Sequence, residues 1–324
     1  MEQASDKITV FGSLNGDIFL KVKNLPKAGE TIACSEITKA SGGKGANQAG
    51  ALGRLAAGTG FHISFLCQVG RDDIAKMVLT ELEESGVDIS HAVSLENTPS
   101  GQAYIFLMPN GENSIIIHGG ANTDWDQNLT ELNKEIKETI ISSKILLLQR
   151  EIPEHINILA AKLAKENKVT VVLDAGGMDI PITDELLQNV DIFSPNETEL
   201  ERILLSEFNS EESPSENALK LINKFENLSI LLKLGSNGSA FIGKDDKKVI
   251  KVEAVVDHKG KSIVDTTGAG DCFTAAFALK LAQGLDIKDA MEYANTAAFL
   301  CITKLGALPS LPFAQDITQF LSSD

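Results

Sequence analysis

At 324 residues the chain exceeds the usual single-domain length but stays within the range of large α/β domains, so one large domain with a small appendage is expected. Hydrophobic residues at 43% and charged residues at 23% fit a globular chain with a sizeable core and argue against extensive disorder. A net charge of −16 argues against nucleic acid or an anionic membrane surface as partner, because both are gripped by basic surfaces.

Cys34, Cys67, Cys272 and Cys301 show no close spacing, the stretch from Met1 to Asp6 is acidic where a signal or transit peptide is basic, and no apolar run reaches membrane-span length. A reduced, cytoplasmic compartment is the expectation.

The first predicted strand, Lys7 to Phe11, alternates and runs into Gly12-Ser13. Asn15 and Asp17 follow two apart, which in extended chain puts an amide and a carboxylate on one face, able to hold a diol; a turn built on Asn-Gly-Asp is the other reading. Short β-like runs at Ile18 to Val22 and Thr31 to Lys39, with a hairpin pattern from Gln102 to Pro109 and Ser114 to His118 about Asn110-Gly111, predict a small separate sheet. Between them, Gly42-Gly-Lys-Gly-Ala-Asn47 opens a helix through Leu52 and Ala56. Its small residues allow backbone to approach a ligand or simply form a tight packing turn, and the Gly-x-x-x-x-Gly-Lys-Ser/Thr pattern of a P-loop is absent.

From Ile63 the chain alternates regularly. Strand-like runs at Ile63 to Gln68, Ile145 to Gln149, Val169 to Asp174, Asp191 to Ser194 and Ile230 to Leu234 are separated by helical patterns at Ile74 to Glu84, Leu129 to Ile141, Ile156 to Glu166 and Glu197 to Leu205. This predicts an α/β fold with a largely parallel sheet and helices on both faces. Ligands bind such sheets beyond the carboxyl ends of the strands, where Glu151, Asn196, Glu199 and Gly235-Ser-Asn-Gly238 fall. Asn196 and Glu199, three apart at a helix start, suit either a hydrated magnesium ion or a capping box. Glu207 to Glu216 reads as a solvated loop, and the five histidines lack the spacing of a transition-metal site.

Further on, Ile263 and Val264 read as the end of a buried strand, Asp265-Thr-Thr-Gly-Ala-Gly-Asp271 as a turn, and Cys272 to Gly284 as a helix. The N–H groups of Gly268, Ala269, Gly270 and Asp271 would converge at the helix N-terminus, where the dipole and orphan donors favour an anion. Asp271 alone could be a helix cap. Two glycines, two hydroxyls and an acid at each end instead build an anion pocket with a candidate base, as phosphoryl transfer to an alcohol requires.

Taken together, Asp265-Thr-Thr-Gly-Ala-Gly-Asp271, Gly42-Gly-Lys-Gly-Ala-Asn47 and Gly12-Ser-Leu-Asn-Gly-Asp17 resemble the ribokinase-like (PfkB) family of carbohydrate kinases, over Ile8 to about Phe313. The resemblance implies a three-layer α/β/α domain over the whole chain, with a β-sheet lid from about residues 17–40 and 101–119; the free face or edge of that small sheet would need covering, so a homodimer through it is expected. It implies ATP-dependent phosphorylation of D-ribose at its primary hydroxyl, with Asp271 as base and Gly268, Ala269 and Gly270 as anion hole. Asn15, Asp17, Gly43, Lys44, Asn47, Glu151 and Asp271 would meet the sugar. Asn196, Lys233, Gly235, Ser236, Asn237, Gly238, Gly270 and Asn295 would meet ATP, and Glu199 would hold Mg2+ through water. Asp265, Thr267, Cys301, Lys304, Gly306 and Ser310 would hold K+, largely through carbonyls. A cation there would also neutralise Asp265, a carboxylate otherwise without a partner beside the anion hole.

Two stretches depart from the family pattern: Lys233 stands where threonine is common, and Asp174-Ala-Gly-Gly177 where Asn-Pro-Ala-Pro is common. Other kinases of the family, a fructokinase or a nucleoside kinase, remain alternatives, as does a catalytically silent nucleotide-binding regulator. A dehydrogenase is disfavoured, because Gly12-Ser-Leu-Asn-Gly16 lacks the dinucleotide fingerprint.

Overall fold

A computed structural model describes residues 6–109, 112–178, 180–256 and 259–322. The strand Ile145–Arg150 shows how its core is built: Ile145 and Leu147 enter one apolar cluster, Leu146 and Leu148 another. Side chains alternate across a strand, so a run that is apolar at every position needs cover on both faces. Helices Lys44–Ala56, Ala269–Ala282 and Ile287–Cys301 supply one cover, and Glu154–Glu166, Glu197–Leu204 and Pro214–Lys224 the other. The result is a three-layer α/β/α arrangement, as expected.

The central sheet has nine strands, ordered Val249–Val252, Ser239–Ile242, Ser229–Lys233, Ile192–Ser194, Thr170–Gly177, Ile145–Arg150, Lys7–Phe11, His62–Leu66 and Val87–Asp88. All neighbours are parallel except the first three strands, which pair antiparallel. The chain leaves Lys7–Phe11 toward one edge and later returns to its other side at Ile145–Arg150, so the topology switches direction between these two strands. Crevices for ligands form at such a point.

A second sheet orders Glu36–Gly42, Asn15–Lys21, Gly101–Leu107 and Asn113–His118. The predicted strand from Thr31 therefore begins only at Glu36, since Lys21 already pairs there and leaves residues 31–35 without a ladder. The Asn110-Gly111 turn lies outside the described residues.

Three other expectations change. The helix expected from Leu129 starts at Lys134, because Asn133 caps it through a 2.8 Å bond from Ile136 N–H. The acidic loop ends early, as Ser213 and Glu216 form the capping box of Pro214–Lys224. Ile263 and Val264 are not strand, and they stand 57% and 58% exposed; Val264 N–H bonds the Ile302 carbonyl behind a helix instead of a neighbouring strand. A β-branched doublet carries no signal that distinguishes these cases. Among the described residues, no helix is long and apolar enough to cross a membrane.

Candidate active site

At the switch point the ends of the two strands are tied together by one short bond. Ser13, just after Lys7–Phe11, donates to Glu151 Oε2 at 2.5 Å, just after Ile145–Arg150. The same oxygen accepts the Lys44 N–H at 2.9 Å, so Glu151 anchors the start of Lys44–Ala56. Gly43, at φ 89°, supplies the left-handed turn into that helix.

The first turn of this helix meets the first turn of Ala269–Ala282. Asn47 Nδ2 donates to Asp271 Oδ2 at 2.9 Å, and Gln48 Nε2 reaches Oδ1 at 3.3 Å. Gln149 in turn donates to Gln48 Oε1 at 2.7 Å. Asp271 is buried, and burial raises its carboxyl above the usual range while the Lys44 ammonium opposes the shift. Lys44 is held firmly protonated, first by Asp271 and against its own burial, then by Asp174, Glu151 and Glu199.

Asn15 and Asp17 share one strand, Asn15–Lys21, which starts three residues before the expected Ile18 and takes the extended reading of this segment over the turn. Asp17 lies over Gly42, where an added Cβ would fall 2.3 Å from its Oδ2, so only glycine leaves the carboxylate room. Burial, then the carboxylates of Glu151 and Asp271, push Asp17 up to about 7. Asn15 Oδ1 accepts from Asn122 Nδ2 at 2.7 Å, and Asn122 also bonds both backbone groups of Leu14.

Gly268 caps Ala269–Ala282 in the left-handed conformation, φ 78°. The N–H of Ala269 bonds Thr266 O at 3.3 Å, whereas those of Gly268, Gly270 and Asp271 find no acceptor among the described residues. The loop therefore presents three open donors where the sequence suggested four.

On the other side of the loop, Asn196 and Glu199 form the capping box: Glu199 N–H bonds Asn196 Oδ1 at 2.8 Å and Asn196 N–H bonds Glu199 Oε2 at 2.7 Å. Lys233 and Asn196 are bridged as neighbours. Lys233 Nζ lies 2.8 Å from Asp174 Oδ2 and 3.8 Å from Glu199 Oε2, so the two departures from the family pattern pair with each other. Gly235, Ser236 and Asn237 form an exposed turn after that strand, closed by Gly238 at φ 81°. Asn295 donates to Glu253 O at 3.1 Å, placing it against the segment that follows Val249–Val252.

The suggested potassium residues also gather. Asp265 Oδ1 accepts from Thr267 N–H at 3.0 Å and Thr267 Oγ1 at 2.7 Å, and Oδ2 accepts from Gly306 N–H at 2.9 Å. Burial works against its ionisation, yet these bonds hold its carboxyl below the ordinary range. The expectation that Asp265 lacks a partner is thus corrected. Cys301 Sγ lies 3.0 Å from Ser310 Oγ, and Lys304 is exposed. Among the described residues no group of three or more His, Cys, Asp or Glu side chains could hold a metal ion.

Sequence reasoning missed Gln48, Gln149, Ser13 and Asn122. Only Asn122 left a signal, an amide behind Gly119-Gly-Ala at the end of the second sheet.

A switch-point crevice, a buried carboxylate at a glycine-capped helix and a small sheet beside them define a sugar kinase, and the chain belongs to the pfkB family of carbohydrate kinases, whose model matches residues 5–314. Among curated proteins it is 39% identical to the ribokinase of Arabidopsis thaliana, over 97% of this chain and 80% of that one. It is 34% identical to the ribokinase of Staphylococcus aureus, over 97% and 99%. The solved Arabidopsis thaliana ribokinase, complexed with ribose and ATP, superimposes with a TM-score of 0.89 at 38% identity, covering 99% of this chain and 100% of that one.

Proposed function

We propose that this chain transfers the γ-phosphoryl group of ATP to the primary hydroxyl of D-ribose, giving ribose 5-phosphate and ADP. The observation that carries the reading is the meeting of Asp271 and Asn47 beneath the strand that bears Asn15 and Asp17. Amides and carboxylates around a candidate base suit a small polyol. The ribokinase relatives support the same substrate.

In this reading Asp271 accepts the hydroxyl proton, and the open N–H groups of Gly268, Gly270 and Asp271 receive charge on the transferring group. Asn15, Asp17, Gly43, Lys44 and Asn47 hold the sugar, with Glu151 bracing Lys44. Asn196, Lys233, Gly235 to Gly238 and Asn295 border the nucleotide. Mg2+ suits Glu199 through water, since the ion keeps much of its hydration shell and Oε2 already serves the capping box; bound there it would supply positive charge to the phosphates. Carbonyls around Asp265, Thr267, Cys301, Lys304, Gly306 and Ser310 suit K+, which would lend the loop a fixed charge. The whole chain acts as one kinase domain with the small sheet as lid, excluding water that would compete as acceptor. Dimerisation through that lid covers the exposed Ile37 and Ile116, and four free cysteines accord with a cytoplasmic setting.

The test is coupled-assay turnover with ATP against ribose, fructose, 2-keto-3-deoxygluconate and adenosine. Ribose is expected first by kcat/KM; adenosine or fructose in that place would overturn the substrate assignment.

A further inference from the structure

Lys233 is the last residue of the strand Ser229–Lys233, and its N–H bonds Pro195 O at 2.9 Å, which fixes it at the carboxyl edge of the sheet. Its side chain and that of Asp174 are only 12% and 2% exposed, and they form a 2.8 Å ion pair. The ammonium also borders the anion loop. A Cβ added at Gly270 would lie 3.7 Å from Lys233 Nζ, beside the open N–H groups of Gly270 and Asp271.

That location is electrostatically unfavourable for an isolated cation, because the positive end of the helix Ala269–Ala282 faces it. Asp174 offsets the repulsion while no anion is bound. A phosphoryl group entering the loop would attract Lys233 and the helix end together. Asp174 does not depend on Lys233 for its place: Oδ2 also accepts from Thr274 Oγ1 at 2.8 Å and Oδ1 from Gly176 N–H at 2.9 Å. Lys44 stands on its far side, 2.7 Å from where a Gly176 Cβ would be. Lys233 can therefore leave Asp174 without orphaning a buried carboxylate.

We infer that Lys233 is a further catalytic residue, a cation that moves from Asp174 onto the transferring phosphoryl group, and that Asp174 is the positioning residue that holds it ready. The inference rests on the kinase reading above. In the step, the sugar hydroxyl loses its proton to Asp271, its oxygen bonds the γ-phosphorus, and the bond to the β,γ-bridging oxygen breaks with its electron pair leaving on ADP. Lys233 gives up no proton; it balances charge on the oxygens of the group in flight.

The experiment compares wild type with Lys233→Met, Lys233→Arg and the charge-balanced double variant Asp174→Asn/Lys233→Met. Readouts are kcat, KM for ribose, melting temperature, and binding of ADP and of the β,γ-imido analogue of ATP. Lys233→Met is expected to lower kcat about 10²-fold, the size of losing one oxyanion donor, with KM for ribose within about threefold. Lys233→Arg should recover about tenfold of that, since it keeps a charge but not its shape. The double variant should melt near wild type yet keep the loss in kcat, and any preference for the imido analogue over ADP should shrink with Lys233 gone. A double variant that regains wild-type kcat, or unchanged analogue preference, overturns the inference and leaves the pair purely structural. Failure of the kinase reading is distinguishable, because wild type would then release no ADP in response to sugar.

Discussion

Asn47 Nδ2 donates to Asp271 Oδ2 at 2.9 Å across 224 residues, joining the first turns of the two helices that frame the crevice. The bond holds a carboxylate that burial drives toward protonation, and Gln48 steadies its other oxygen. Asn in place of Asp271 would keep shape and hydrogen-bonding capacity but could not accept the hydroxyl proton. Asp271→Asn should therefore retain the fold and ATP binding while lowering kcat by about 10²- to 10⁴-fold. Turnover and nucleotide titration check this, and activity within a few-fold of wild type would remove Asp271 from the role of base.

Asp17 predicts a pH dependence of stability. Its carboxyl rises to about 7 in the folded chain, through burial and the facing carboxylates of Glu151 and Asp271. A raised folded value means the stabilising contribution is present below about pH 4, the unfolded range, and is lost as pH climbs through 7. The loss for this group is on the order of 4 kcal/mol. Asp17→Asn removes the titration, so relative to wild type it should gain melting temperature steadily from pH 4 to pH 8. A difference that stays flat with pH contradicts the assignment.

The second sheet predicts oligomeric state. Ile37 and Ile116 stand 58% and 61% exposed, and the strand pairings put both on the face opposite Asp17. Large exposed aliphatic groups on a sheet, beside an open edge strand, call for cover. The protein should sediment as a dimer at micromolar concentration, and Ile37→Glu/Ile116→Glu should sediment as a monomer. A wild-type monomer would refute the lid as an interface.

Much of the frame was legible because parallel strands buried on both faces must be apolar at every position, as Ile145 to Leu148 are. The ends of those strands pointed to Glu151, Asn196 and Gly235 for the same topological reason. Ile263 and Val264 misled because their backbone partner is a helix-end carbonyl, and no local pattern announces one. The Asp174 and Lys233 pair was equally hidden: each residue reads as a departure by itself, and only the adjacency of sheet and helix brings them within 2.8 Å. Gln48 and Gln149 gave no signal, since an amide on a helix or strand reads the same whether it faces water or Asp271.

The loop around Asp265 predicts an ion effect. Thr267 and Gly306 already satisfy the carboxylate, so it shapes the turn and its carbonyls whether or not an ion is bound. If those carbonyls hold K+, turnover should rise in potassium chloride above its value in matched sodium chloride. Asp265→Asn, which loosens the turn, should weaken that response. Equal rates in the two salts would exclude a potassium-selective site.

The sugar itself gives the sharpest test. Asn15 is pinned by Asn122 at 2.7 Å, whereas the Asp17 carboxylate accepts no hydrogen bond from the described residues. Its oxygens are the ones left for substrate hydroxyls. A buried polar group deprived of its partner costs more than the partner's bond contributes, so 2-deoxyribose should fall behind ribose in kcat/KM, by up to roughly 10⁴-fold where the missing hydroxyl is fully enclosed. The gap should come from Asp17: in Asp17→Asn, activity on ribose drops and the two sugars draw closer together. Full discrimination retained in Asp17→Asn would place the 2-hydroxyl against another residue, and equal turnover of both sugars by wild type would dismiss Asp17 as its partner.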